Sequence, residues 1–231
     1  MGGTRSGSRL LRILVVASAL GAAGCGRPTT SGTASPPPGA PPSPRSPAPA
    51  RTTEAPVPVE SNPPGDIPDT AVFVPFRAHG GRIALRVPEG WARECVPGGV
   101  RFSDKLNAVT LSWRRVAAPL TPGAVRRTEV PELRRTERAF RLQRVLPCPG
   151  SCSVPYSTGP IAVHLRAGPA VVLVYRADSP PDPVTGRRYR LEVVRFEFSR
   201  HGEETALSLS GPLGADNVDP WRLIAESFRW T

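Results

Sequence analysis

Three cysteine side chains offer the clearest chemistry in the C-terminal part of this 231-residue sequence: Cys95, Cys148 and Cys152. Cysteine thiolates bind soft metal ions, and paired thiols form disulfides. Cys148 and Cys152 bracket Pro149-Gly150-Ser151, where a turn would bring their Cα atoms within bridging distance. We therefore expect a structural disulfide in this set, either Cys148–Cys152 or Cys95 joined to one of them.

The same three cysteines allow a second interpretation, a Zn²⁺ or Cu(I) site or a redox-active thiol. Metal-binding cysteine pairs are usually separated by two residues, whereas three residues separate Cys148 from Cys152. No second pair and no nearby histidine completes the set. We therefore expect no bound metal, and the soft-metal or thiol-redox protein using Cys95, Cys148 and Cys152 remains the alternative.

Catalytic motifs are absent from the sequence. It lacks His-Glu-x-x-His, Gly-x-Ser-x-Gly, the P-loop and the dinucleotide-binding glycine pattern. His79 and His201 lie in predicted turns, where a solvated imidazole is expected, and His164 lies in a predicted strand, where a packed or cross-strand position is expected. Several carboxylates stand among arginines, which favours solvated ion pairs over acid–base catalysis: Glu129, Glu132 and Glu137. The sequence therefore predicts a protein that is not an enzyme and has no cofactor.

Basic residues outnumber acidic ones in the C-terminal part, and nearly all are arginine. Residues 70–231 hold 24 Lys+Arg against 15 Asp+Glu, and Lys105 is the single lysine. Arg127, Arg134, Arg138 and Arg141 follow one another at spacings of seven, four and three, which would place them on one side of a helix. Such a face is either simply solvated or binds an anionic partner, which would be lipid headgroups, an envelope polymer or an acidic protein.

The N-terminus is typical of an export signal. Arg5, Arg9 and Arg12 precede an apolar run from residue 13 to 23, which is too short to span a bilayer. Ala22-Ala23-Gly24 supplies small residues before Cys25, as in a lipobox, in which Cys25 is acylated and becomes the first residue of the mature protein. Two acyl chains on one cysteine would anchor the protein stably. Export also makes disulfides permissible and nucleic acid an unexpected partner.

A proline-rich segment follows Cys25. Residues 26–69 contain 14 of the 30 prolines and few large apolar side chains. Such a composition buries too little surface to offset chain entropy, so it predicts a disordered, partly extended tether. The expected organisation is therefore a signal peptide (1–24), a lipidated cysteine with a disordered linker (25–69) and one domain (70–231).

Within the domain, short alternating segments predict β-strands. They run at 71–76, 82–87, 100–103, 108–113, 139–146, 161–165, 170–175, 189–198 and 205–210, the last two forming a hairpin across 200–203. The fully apolar run 170–175 is expected to be a central strand. The loop between the two nearest cysteines is expected to carry no strand.

Two helices are predicted between and after these strands. Thr121-Pro122 is a typical helix start, and Pro131 within the helix predicts a kink or two short helices before about Arg138. Asp219 is expected to cap a last helix that places Trp221, Ile224 and Phe228 on one apolar face. Strands interrupted by so few helices predict an α+β fold, an antiparallel β-sheet flanked by helices.

Several segments resemble actinobacterial lipoproteins with a PsbP-like domain, over about residues 70–231. They are Val87–Trp91, Phe102–Asn107, Ala167–Ala170, Ser179–Gly186 and the ending Gly211–Trp230. The resemblance implies a PsbP-like α/β/α sandwich and a binding or assembly role without enzymatic activity. The cysteine loop is not part of the resemblance.

These observations predict an extracytoplasmic lipoprotein, anchored in the cell membrane by its lipid. Its domain is expected to be a non-enzymatic binding or accessory module for a cell-envelope component or a membrane complex. The anchor, the linker and the absence of catalytic motifs carry this expectation.

Overall fold

The computed structural model of the chain describes residues 65–116 and 120–231. The signal segment, Cys25 and the proline-rich segment as far as Pro64 lie outside the described residues. Twelve strands and two α-helices are found in the described part. The strands are β1 (Phe73–Ala78), β2 (Ile83–Pro88), β3 (Ala92–Val96), β4 (Gly99–Asp104), β5 (Asn107–Arg115), β6 (Arg141–Cys148), β7 (Ser151–Val154), β8 (Ile161–His164), β9 (Ala170–Asp178), β10 (Arg190–Arg200), β11 (Glu203–Pro212) and β12 (Arg229–Trp230). The helices are α1 (Pro122–Thr136) and α2 (Val218–Ser227).

A seven-stranded antiparallel sheet organises the domain, in the order β3-β4-β5-β11-β10-β9-β6. A second sheet has the order β1-β2-β12, and β7 and β8 form a separate hairpin. The large sheet is built around the β10–β11 hairpin, whose two turn residues His201 and Gly202 both have positive φ, as a tight hairpin turn requires. The predicted α+β fold with an antiparallel sheet and two helices is confirmed.

The two faces of the large sheet differ in what covers them. One face carries a continuous apolar core that includes Leu111, Val194 and Phe196, and the smaller sheet, the β7–β8 hairpin and the apolar side of α2 pack against it. The other face is apolar only beneath α1, where Val125, Val130 and Leu133 of the helix form one apolar cluster with residues of β6, β9 and β10. Beyond α1, this second face is polar.

The apolar run in β9 was expected to be a central strand, and β9 is an internal strand of the large sheet, paired with β10 on one side and β6 on the other. β9 is next to the outermost strand β6, but both of its faces are covered. Val172 and Val174 belong to the core on one side, whereas Val171 and Leu173 pack beneath α1. A continuous apolar run therefore reports burial on both faces.

Helix α1 begins as the sequence predicts and is one helix rather than two. The Thr121 hydroxyl accepts a hydrogen bond from the Ala124 backbone N–H at 3.1 Å, and Pro122 occupies the first position. Pro131 does not divide the helix. Its side chain is exposed, so solvent can reach the carbonyl oxygen that proline leaves without an N–H donor.

The cap of α2 differs from the prediction. The helix is preceded by Asn217, and Asp219 lies in its first turn, where it pairs with Arg222 at 2.8 Å. The Asn217 side chain accepts a hydrogen bond from the Ile67 backbone N–H and donates to Asn107. Ile67 is buried in the core, so the core includes a residue that precedes position 70, where the domain was expected to begin.

Three strands were not predicted: β3, β7 and β12. β3 is almost entirely exposed and β12 is two residues long, so neither shows the alternation that marks a half-buried strand. β7 contains Cys152 and begins where the sequence suggested only a loop. Pairing with a neighbouring strand, rather than the local apolar pattern, creates these elements.

Candidate functional site

The polar part of the second sheet face, beside α1, brings charged side chains together. Strand pairing places Glu204 of β11 directly opposite Arg114 of β5, and Arg195 of β10 opposite Ser208 of β11. Glu197 lies two residues after Arg195, so its side chain points to the same face. Neighbouring strands therefore supply four charged groups to one patch of the sheet.

Helix α1 adds a carboxylate from above this patch. Glu129 is almost fully buried and lies one turn after Val125, on the side of the helix that faces the sheet. Glu129 was expected to be a solvated ion pair, and this expectation is wrong because its carboxylate enters the helix–sheet interface. We call Arg114, Glu129, Arg195, Glu197 and Glu204 the inner charge cluster.

The two guanidinium groups of the inner charge cluster bridge its carboxylates. Arg114 donates to Glu129 and, at 2.7 Å, to Oε1 of Glu204. Arg195 donates to Oε2 of Glu129 at 3.1 Å and to Oε1 of Glu197. Glu129 therefore accepts from both arginines and links the helix to two strands of the sheet.

The carboxylates of the cluster are close enough to influence one another's protonation. Oxygens of Glu129, Glu197 and Glu204 lie within 4.8 Å of one another. Burial raises the pKa of Glu204 to about 7, and the negative charge of Glu197 adds to this effect while Arg114 opposes it. Glu197 and Glu204 are therefore neighbouring carboxyl groups within the cluster.

A groove of about 440 Å³ opens beside this cluster. Its lining includes four residues from the end of α1 and the turn after it, together with residues of the β3–β4 turn and small residues of the sheet: Glu132, Leu133, Thr136, Glu137, Pro97, Gly98, Ser112 and Ala206. Glu132 and Glu137 are part of this lining, and burial raises the pKa of Glu137 above its ordinary value. The lining is acidic, although the domain as a whole is strongly basic.

The four predicted arginines lie away from this groove lining. Arg127, Arg134, Arg138 and Arg141 are exposed, and in the described part of the chain none of them forms an ion pair. The helix ends at Thr136, so only Arg127 and Arg134 share a helical face, two turns apart. Arg138 and Arg141 lie in the turn and in the first position of β6. We call these four residues the arginine surface.

The cysteines separate into a disulfide and a thiol. Cys148 and Cys152 form a disulfide, and their Cα atoms are 5.3 Å apart. This disulfide is one of the alternatives expected from the sequence. Cys95 is exposed and forms no disulfide with any cysteine in the described residues. It lies on β3, at one edge of the seven-stranded sheet, whereas Cys148 lies on β6 at the other edge. Six strand spacings of about 4.8 Å separate the two edges by roughly 29 Å.

The distance between the two sheet edges excludes the remaining hypotheses about the three cysteines. Within one chain, Cys95 cannot join Cys148 or Cys152 in a disulfide, and the three thiolates cannot bind one metal ion. The expectation of a Cys95 disulfide is therefore wrong, and so is a soft-metal site formed by all three cysteines. The strand order that sets this distance cannot be obtained from the spacing of cysteines along the sequence.

Two histidines have cross-strand or aromatic neighbours. His164 of β8 is opposite Ser151 of β7, and its Nδ1 lies 2.8 Å from the serine hydroxyl oxygen, as expected for a cross-strand position. His79 was expected to be solvated but is partly buried, with its ring 4.8 Å from that of Trp113 and its Nε2 2.8 Å from Oε1 of Glu203. His201 is exposed, as expected.

The inner charge cluster was not predicted, although one local signal points to it. Arg195 and Glu197 alternate with the apolar residues Val194, Phe196 and Phe198 in β10. Such alternation is also typical of a strand with one solvated face, and it does not reveal that α1 covers part of that face.

Comparisons with known proteins give distant structural likenesses only. No family model matches the sequence, and no curated protein matches it. A structure from Bacteroides thetaiotaomicron has a TM-score of 0.40 at 12% identity, covering 68% of this chain and 48% of that one, so the chain spans about half of its length. The Ran-binding protein Mog1p of Saccharomyces cerevisiae has a TM-score of 0.41 at 9% identity, covering 70% and 96%.

LpqN of Mycobacterium tuberculosis, described as involved in cell envelope biogenesis, has a TM-score of 0.36 at 14% identity, covering 71% of this chain and 92% of that one. Likenesses at this level do not confirm the resemblance to PsbP-like lipoproteins. Among the described residues, no helix is long and apolar enough to cross a membrane.

Proposed function

We propose that this chain is a lipid-anchored, extracytoplasmic protein whose domain is a non-enzymatic binding module for an acidic surface of a cell-envelope protein complex. The anchor part of the proposal rests on the sequence, where three arginines, an apolar run and small residues precede Cys25. The proline-rich segment after Cys25 has the composition of a tether.

The single observation that carries the binding part is the arginine surface. Four exposed guanidinium groups have no acidic partner among the described residues, although 15 acidic residues are present in residues 70–231. Exposed arginines recognise carboxylates through paired N–H donors, and a fixed positive surface accelerates association with an anionic partner. An acidic protein surface satisfies both properties. Phosphate groups of a lipid or polymer accept the same paired donors, and the experiment below distinguishes these partners.

The thiol-redox and metal alternative receives no support from the geometry. One thiol at a sheet edge and one distant disulfide do not form a common site.

Charge reversal on the full-length chain tests the binding part. We expect Arg127→Glu, Arg134→Glu and Arg138→Glu together to reduce crosslinking to envelope proteins in intact cells by at least ten-fold, without a change in thermal stability. A matched control reverses three exposed arginines on the smaller sheet: Arg77, Arg86 and Arg229. Equal crosslinking by both triple variants would contradict the proposal. Loss of binding to anionic vesicles, with protein crosslinks unchanged, would identify lipid as the partner instead.

Intact mass spectrometry of the membrane-extracted protein tests the anchor. We expect cleavage before Cys25 and an acyl adduct on its sulfur. In the same sample, alkylation without reduction should modify one thiol, Cys95, and alkylation after reduction should modify three. A mature protein that begins elsewhere and carries no adduct would contradict the anchor while leaving the arginine surface to be tested separately.

A further inference from the structure

The inner charge cluster lacks one positive charge. It contains three carboxylates, Glu129, Glu197 and Glu204, but only two guanidinium groups, so its net charge is −1 when every group is ionised. All three carboxylates are at least 95% buried, since their exposed fractions are 3%, 0% and 4%. An uncompensated buried charge is strongly unfavourable, so the cluster must take up a proton or another cation.

Hydrogen bonding within the inner charge cluster is also incomplete. The arginines occupy four of the six carboxylate oxygens, two on Glu129 and one each on Glu197 and Glu204. The second oxygen of Glu197, Oε2, is fully buried and accepts no hydrogen bond from any described residue. Glu204 is the neighbouring carboxyl group and lines the groove, so a donor entering the groove can reach the Glu197–Glu204 pair through it.

The groove can accommodate a group that supplies the positive charge missing from the inner charge cluster. Its volume of about 440 Å³ accommodates a small organic group, and Glu132 and Glu137 add carboxylates to the lining. A divalent metal ion fits less well, because the two guanidinium groups would repel it and already occupy most of the carboxylate oxygens. A cation with one charge would neutralise the cluster, and its N–H groups would donate to Glu204, the carboxylate of the Glu197–Glu204 pair that lines the groove.

We propose that the groove binds one singly charged organic cation, a primary ammonium or guanidinium group, which donates hydrogen bonds to Glu204 and neutralises the Glu197–Glu204 pair. Free amines and lysine or arginine side chains of a partner share this chemistry. This site is separate from the arginine surface, which takes an anionic partner, so either can fail without the other.

Binding of the cation must compete with a proton on Glu204. The groups that face this carboxyl are Arg114 from β5, Arg195 and Glu197 from β10, and Glu129 from α1. Since the pKa of Glu204 is raised to about 7, most molecules carry the proton at pH 6 and few do at pH 8. The apparent affinity for the cation is therefore about ten-fold higher at pH 8 than at pH 6.

Isothermal titration calorimetry of the full-length protein tests the proposal, with n-butylammonium and methylguanidinium as probes. We expect saturable binding of one probe molecule, ten-fold tighter at pH 8 than at pH 6, with close to one proton released at pH 6. Glu204→Gln should weaken binding at pH 8 at least ten-fold and remove the pH dependence. Glu89→Gln, which makes the same change at an exposed position outside the groove, should bind as the unmodified protein does.

Three results would overturn the proposal. Glu204→Gln could bind the probes with unchanged affinity, which would place them elsewhere. Tetramethylammonium, which has the charge but no N–H donor, could bind equally well, which would exclude the hydrogen-bonding part. Ca²⁺ could bind tightly through Glu204 while both organic probes fail, which would make the groove a metal site. Circular dichroism of Glu204→Gln confirms that it is folded before these results are compared.

Discussion

The two sides of helix α1 use charge in opposite ways. On the sheet side, Glu129 is buried and bridges Arg114 and Arg195, so these groups are held in a fixed ion-pair network. On the outer side, Arg127 and Arg134 are exposed and have no acidic partner in the described residues. Because buried charges must be paired, removal of one inner group is expected to affect folding. Because exposed charges are solvated, the outer groups are available for binding instead.

The largest expected effect follows from removal of an inner arginine. Arg195→Gln takes away the guanidinium that donates to both Glu129 and Glu197, and Glu197 is fully buried with no other donor among the described residues. Breaking such a buried pair costs about 3–5 kcal/mol, so we expect the free energy of unfolding to fall by about that amount in urea titrations. Arg134→Gln, the matched change on the outer side, should shift it by less than about 0.5 kcal/mol. If both variants lost similar amounts of unfolding free energy, the inner and outer arginines would contribute equally to stability, which would contradict this comparison.

The pH dependence of the free energy of unfolding also tests whether the buried charges on the inner side of α1 contribute to stability. This test leaves every arginine in place. The folded-state pKa of Glu204 is raised to about 7 from an ordinary value near 4.5, so the folded protein binds this proton more tightly than the unfolded chain does. The resulting stabilisation is fully present below about pH 4.5 and is lost as the pH rises through about 7.

We expect the free energy of unfolding to fall between pH 5 and pH 8 by an amount on the order of 2 kcal/mol, measured by urea titration at each pH. In Glu204→Gln this part of the profile should be flat, because glutamine does not titrate. Glu89→Gln should keep the slope of the unmodified protein. A slope that persists in Glu204→Gln would assign the titration to another group.

A smaller effect on stability is expected at the N-terminal cap of α1. The cap stabilises the helix as a whole and so supports its inner and outer sides alike. The Thr121 hydroxyl accepts from the Ala124 N–H at 3.1 Å, and Thr121→Ala removes this bond. Loss of an N-cap typically costs about 1 kcal/mol, and we expect this decrease in the free energy of unfolding. Thr121→Ser should restore it, since serine supplies the same hydroxyl. A stability of Thr121→Ala equal to that of the unmodified protein would show that the tertiary contacts of α1 make the cap redundant.

The local parts of this organisation are predictable from the sequence, and the long-range parts are not. Thr121-Pro122, the β10–β11 hairpin turn and the Cys148–Cys152 disulfide each depend on residues within a few positions of one another. Glu129 contacts Arg195 across 66 positions of sequence, and that contact exists only because α1 lies over β10. Sequence patterns therefore suggested a solvated carboxylate at Glu129. The distance between Cys95 and Cys148 likewise depends on strand order, which no local pattern contains.

The smallest expected effect concerns the arginine surface itself. Arg127→Gln and Arg134→Gln together remove two positive charges from a domain that holds 24 basic against 15 acidic residues. Neither guanidinium forms an ion pair in the described part of the chain, so no attractive contact is lost, and mutual repulsion among the remaining arginines decreases. We expect the free energy of unfolding to change by no more than about 0.5 kcal/mol, with any change towards greater stability at low salt. Urea titrations at low and high salt measure this directly. A loss above about 1 kcal/mol would show that these side chains hold the fold together, and a binding role would then no longer be needed to explain their exposure.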